Sequence, residues 1–284
     1  MQPLARIAWF RPVEKLLFSI AGVSLCFQTA LLLDWLFIPR WFYLFILCCS
    51  FWLQSISNLK AIRQPANTAT NSSSGLLKTI TLIANIVATI IFGYFSLRLH
   101  KLQFAWLFVW ICLIAACNFP FHRYKNIAFL REHRLLKLFT IIIAWLVSTI
   151  IIPATFIPFG FDRRFWWLLA VRFFYLLSVF IAAALQYELR EAKTAKLSLV
   201  LLFGEEGSYK LCYAALAISA FGIVPGLFIG INILWLIPIL ISLVISGQMI
   251  NYSRRHLFSP ASHLLPAASM ILQTLLVCIP LLIP

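Results

Sequence analysis

The chain has eight carboxylates: Glu14, Asp34, Glu132, Asp162, Glu188, Glu191, Glu205 and Glu206. Glu188 and Glu191 are three residues apart, just after a long apolar run. A helix continuing through them puts both on one face. Such a pair can hold one Mg²⁺ that bridges to phosphates. The same spacing also suits a solvated helix end, salt-bridged to Arg190, Lys193 or Lys196. A second candidate is the basic stretch Arg123, Lys125, Arg131, Arg134 and Lys137, with His122 and His133 among them. It can grip a diphosphate or an anionic headgroup. Topology bias alone also accounts for it. Arg172 lies about two turns inside an apolar run. A charge at that depth is a functional candidate by default, and snorkelling to the headgroups is the alternative.

Several chemistries are disfavoured. There is no H-E-x-x-H, no G-x-S-x-G and no P-loop. A Ser-His-Asp triad needs an aspartate beside a histidine on the inner side, and both Asp34 and Asp162 are predicted outside. His256 and His263 lack metal-ligand spacing. The seven cysteines lie in or at the ends of apolar runs with no C-x-x-C pair, and read as small hydrophobes. Gln28, Asn85, Asn232, Gln248 and Gln273 are isolated polar residues in apolar runs, suited to hydrogen bonds between helices.

The elements that must position these residues follow from composition. Hydrophobic residues make up 63% of the chain and charged ones only 11%, against roughly a quarter charged in soluble proteins. Such a surface needs lipid, and lipid forces the backbone to satisfy its own hydrogen bonds. The apolar runs are too long for barrel strands. The expected fold is therefore an all-α integral membrane protein, a single polytopic domain over 1–284. Its nine spans lie near 16–36, 41–57, 76–97, 104–119, 136–157, 165–185, 211–227, 229–250 and 264–283. The first run follows Arg6, Arg11 and Lys15, but it is too long for a signal peptide and has no cleavage site. It is read as retained.

Lysine and arginine set the orientation. With the amino terminus in the cytoplasm, 17 of the 23 fall on the inner side. Five fall outside (Arg40, Arg98, Lys101, Arg163 and Arg164), and Arg172 lies within the sixth span. This asymmetry over short loops predicts an inner amino terminus and an outer carboxyl terminus. The net charge of +15 is spread over these loops, so it signals topology and headgroup contact, not nucleic acid. The longer connections are all inner, so the polar working surface faces the cytoplasm. The expected location is a bacterial inner (cytoplasmic) membrane.

Three stretches resemble the UbiA superfamily of intramembrane prenyltransferases, in a divergent subgroup. Ser57-Asn58-Leu59-Lys60 stands where that family has its first Asp-rich motif. Phe119-Pro120 through Lys137-Leu138-Phe139, followed by Ala144-Trp145-Leu146-Val147-Ser148-Thr149 and Pro153, looks like a basic loop and fifth helix of the subgroup. Glu188-Leu189-Arg190-Glu191 looks like the D-x-R-D of the second motif, and Ala195-Lys196-Leu197 through Gly204 like the segment after it. The resemblance implies nine helices in one bundle. It also implies acidic motifs that bind Mg²⁺ and an isoprenyl diphosphate for transfer to a lipophilic acceptor.

The departures from that pattern decide the expected function. Residues 57–78 contain no acid, and Lys60 and Arg63 stand where metal ligands belong. Cations there repel Mg²⁺. In the second motif Glu188 and Glu191 replace aspartates, and Ala195 takes the third acid position. The expectation is a non-catalytic relative that binds an isoprenoid diphosphate or other anionic membrane lipid in a cytoplasm-facing cavity. Asn58, Lys60, Arg63, Arg123, Lys125, Arg190, Lys193 and Lys196 would contact the head. The alternative is a divergent transferase using Glu188, Glu191 and one Mg²⁺. A membrane scaffold subunit or a transporter is the weaker third reading.

Overall fold

A computed structural model describes residues 3–34, 38–56, 72–118, 134–157, 160–191, 199–256 and 264–282. The described residues form nine principal helices. They are α1 (Pro3–Leu32), α2 (Arg40–Ile56), α3 (Ser72–Ser96), α4 (Lys101–Asn118), α5 (Arg134–Leu146), α6 (Arg163–Glu191), α7 (Leu199–Phe221), α8 (Ile233–Arg255) and α9 (Leu265–Cys278). Four apolar stretches are long enough to cross a membrane: Leu135–Ala154, Arg163–Gln186, Leu202–Phe228 and Ile233–Arg255. Five shorter apolar helices accompany them. No strand occurs among the described residues.

Local chemistry sets the helix starts. The Asp162 carboxylate accepts the Phe165 N–H at 2.8 Å and caps α6. Asn232 accepts the Leu234 N–H at 2.9 Å and caps α8. So Asn232 serves its own helix and not a neighbouring one. At the start of α4, Gln103 reaches back to the His100 N–H at 2.9 Å, as in a capping box. Arg254 and Arg255 close α8, where cations suit the helix dipole.

Two helices are irregular for identifiable reasons. α5 passes into a π-helical stretch, Val147–Ile151, and ends in a turn at Ile152–Ala154. Pro153 has no N–H to return to the turn before it. The Ile152 N–H bonds Val147 O, five residues back, and the Ser148 and Thr149 hydroxyls donate to Trp145 O. α7 begins at Leu199, well before the predicted span at 211, and breaks at Gly204 (φ 68°). A left-handed backbone of that kind favours glycine. Across the break Ser208 donates to Gly204 O at 2.7 Å and Leu199 O at 3.1 Å, so the carbonyls of the interrupted turn keep partners. The helix therefore enters a region that hydropathy alone assigns to the 186–210 loop.

Most helices pack on their sequence neighbours, and α9 returns to pack on α1. α6 is the most connected, touching α5, α7, α8 and α9. The core holds Ala21, Leu25, Phe42, Ile142, Leu176 and Met270, all fully buried. An aromatic cluster joins α2, α3 and the end of α5. Trp41 stacks on Phe95 at 5.3 Å, Phe45 on Phe92 at 5.4 Å, and Phe42 meets Phe156 edge-on at 4.9 Å. The outside is apolar: Ile83, Ile90, Phe108, Ile237 and Val244 are exposed. The inside carries Ser19, Gln28, Ser178, Ser219 and Ser242. This arrangement, apolar out and hydrogen-bonded polar groups in, suits lipid as the solvent.

A short helix, Val224–Phe228, follows α7. It packs so closely on α6 that a Cβ at Gly226 would meet Trp167 Cζ2 at 2.8 Å. The indole cannot yield easily, because its Nε1–H donates to Gly222 O at 2.6 Å. Gly226→Ala is expected to cost about 1–3 kcal/mol by overpacking, read as a lower unfolding temperature in detergent. A Cβ at Gly93 in α3 would meet nothing within 4 Å, so Gly93→Ala should be neutral or stabilising.

Candidate functional site

Two polar features that involve α6 lie inside the bundle. The first is Arg172, about 14 Å along α6 from its start at 1.5 Å per residue. It is only 3% exposed, so it does not snorkel. Nη1 donates to Leu25 O and to Thr29 Oγ1, both at 2.7 Å. Nη2 donates to Gln28 Oε1 at 2.6 Å. Thr29 in turn donates to Leu25 O at 2.8 Å. All the acceptors are neutral and all are on α1, so the guanidinium ties α6 to α1 without an acid. A surface pair repeats the tie at the helix ends, where Arg164 Nη1 lies 3.3 Å from Asp34 Oδ2. Its exposure makes it worth little.

The second feature is a crevice between α6, α8 and α9. Val179, Ala182 and Gln186 of α6 form one wall. Ser246, Met249, Ile250 and Ser253 of α8 form another, with Leu265 and Ser269 of α9 opposite. It is narrow: about one water fits at its widest point. Gln186 is 1% exposed and Ser253 2%, yet Gln186 Oε1 and Ser253 Oγ have no hydrogen-bond partner among the described residues. Buried polar atoms without partners are uncommon and costly. Two on one crevice mark a place where a polar ligand or water completes them. At the other end, Tyr175 donates to Ser269 Oγ at 3.2 Å, with the Ser246 hydroxyl beside it.

The mouth is basic. Ser253 is followed by Arg254 and Arg255, both exposed. The Arg254 guanidinium lies 5.1 Å over the Tyr209 ring, a cation–π contact that holds it near the end of α8. Among the described residues, none of those lining the crevice is a carboxylate. An amide and hydroxyls, with two exposed arginines at the end of α8, suit an anion better than Mg²⁺, which takes carboxylate oxygens and water.

Of the predicted site residues, Arg190, Glu188 and Glu191 belong to the last turns of α6, their side chains outside the described residues. Asn58, Lys60, Arg63, Arg123, Lys125, Lys193 and Lys196 lie outside the described residues altogether. Among the described residues no three His, Cys, Asp or Glu side chains group as metal ligands. Sequence reading passed over Gln186, Ser246, Ser253, Ser269 and Tyr175. A signal was present: Ser242, Ser246 and Ser253 recur at spacings of four and seven in an apolar run, which places them on one helix face. No family model, no curated protein and no solved structure matches this chain, so its function has to be read from its own helices and crevice.

Proposed function

We propose that this chain is a nine-span, UbiA-like protein of a bacterial inner membrane, with its amino terminus cytoplasmic. It binds a lipid with an anionic head, of the isoprenoid diphosphate class, and does not transfer the chain. The head lies at the mouth of the crevice, among Arg190, Arg254 and Arg255, and the tail runs between α6, α8 and α9. Entry of the tail widens the crevice, with the adaptable Met249 giving way first.

One observation carries this reading: two buried polar atoms, Gln186 Oε1 and Ser253 Oγ, lack partners among the described residues on an apolar crevice near the end of α8, where Arg254 and Arg255 are. The Gln186 amide can rotate to offer its NH₂, and the Ser253 hydroxyl can donate, so both can serve phosphate oxygens. Arginine adds charge-assisted bonds at the rim.

Titrating the purified protein with geranyl diphosphate, with and without Mg²⁺, tests the reading. Binding is expected to be independent of the metal and indifferent to Glu188→Gln. Lys60→Ala or Arg63→Ala should weaken it, since the basic inner loops share in holding the head. Binding that requires Mg²⁺ and is abolished by Glu188→Gln would establish the transferase instead. Absence of binding in either condition would leave a scaffold.

A further inference from the structure

We propose that Tyr175 sets the length of lipid tail the crevice accepts, an inference that rests on the lipid-binding reading above. The crevice is bounded along α6 by Val179 and Gln186 and along α8 by Ser246 and Ser253. Each pair is seven residues apart, so the crevice is about 10 Å long at 1.5 Å per residue. Gln186 and Ser253 are at the end of the crevice nearest the C-termini of α6 and α8, the end given to the head. Its deep end is Ser246 and Ser269.

Behind that deep end is Tyr175, 1% exposed. Its hydroxyl reaches Ser269 at 3.2 Å and has Ser246 beside it. The phenol therefore bridges α6 to the two helices that would have to part for a tail to go deeper. One turn beyond it on the same helix is Arg172, a buried guanidinium. An apolar tail pushed past Tyr175 would meet that charge, which has only neutral partners on α1. Tyr175 thus does two things at once. It closes the apolar crevice and it separates the tail from Arg172. Neither task needs contact with the anionic head, so head affinity and tail length should be separable.

The test compares dimethylallyl, geranyl and farnesyl diphosphates on the full-length protein in detergent. The wild type should favour the shorter tails. Tyr175→Ala should raise the affinity for farnesyl relative to geranyl diphosphate by about ten-fold, as buried apolar surface is gained at the deep end. Tyr175→Phe keeps the ring and should keep the wild-type order. Ala182→Leu fills the crevice one turn from Gln186 and should shift preference towards dimethylallyl by a similar factor. If Tyr175→Ala fails to fold, Tyr175→Leu decides the matter: it keeps apolar bulk but is shorter, and should shift preference towards farnesyl in the same direction. An unchanged order of tails in the variants, with the wild type binding normally, overturns the role of Tyr175 and leaves lipid binding standing. A wild type that binds none of the three diphosphates overturns both.

Discussion

Replacing Arg172 with methionine is expected to lower the stability of the detergent-solubilised protein by about 2–3 kcal/mol, read as a drop in unfolding temperature. Hydrogen bonds to charged groups contribute about 1.5–3 kcal/mol in water-soluble proteins. Bonds between helices in membranes average nearer to about 0.6 kcal/mol. Arg172 makes three, all to α1. Removing the charge also removes its burial cost, which offsets part of the loss. What remains is the orphaned Gln28 amide, because Leu25 O and Thr29 still bond each other. The double variant Arg172→Met with Gln28→Leu should therefore recover most of the stability. A single variant more stable than the wild type would show that the charge is not a tie between helices and is kept for another purpose.

Reversing both charges at the end of α8, Arg254→Glu with Arg255→Glu, is expected to weaken geranyl diphosphate binding by about a hundred-fold, or about 2.7 kcal/mol. Each arginine loses a charge-assisted bond and each glutamate repels the head. Both side chains are exposed, so the unfolding temperature should change little. The wild-type affinity should fall as salt rises, and in the variant that fall should be smaller or reversed, because salt also screens the new repulsion. The Arg254 contact with the Tyr209 ring gives a finer control. Arg254→Lys keeps the charge but loses the planar fork and should fall between the two. An affinity unmoved by the double reversal would place the anionic head away from this mouth.

Much of the helical architecture was legible because lipid leaves a chain few choices. Runs such as Leu135–Ala154 and Ile233–Arg255 are too apolar for water and long enough to cross a bilayer. The residues that read as chemistry were less informative. Glu188 and Glu191 stood out because acids are scarce here, but scarcity is not geometry, and one turn of a helix decides which side a carboxylate faces. Arg172 stood out because a charge inside an apolar run is rare. Its burial rules out snorkelling, and its tie to Leu25, Gln28 and Thr29 was not legible, since those partners are more than 140 residues away along the chain.

By itself, the sequence determined the solvent: a chain with so few charges and such long apolar runs has to form helices that bury their own backbone polar groups. Local spacing also determined the Asp162 and His100–Gln103 caps, because capping acts over three residues and needs no distant partner. Only the tertiary structure decided what those helices enclose. Gln186 and Ser253 lie on helices α6 and α8, and nothing in a one-dimensional pattern brings them to one crevice or leaves them unsatisfied there. Pairing between helices depends on crossing positions and rotation about each axis, and those are set by the packing of whole helix faces.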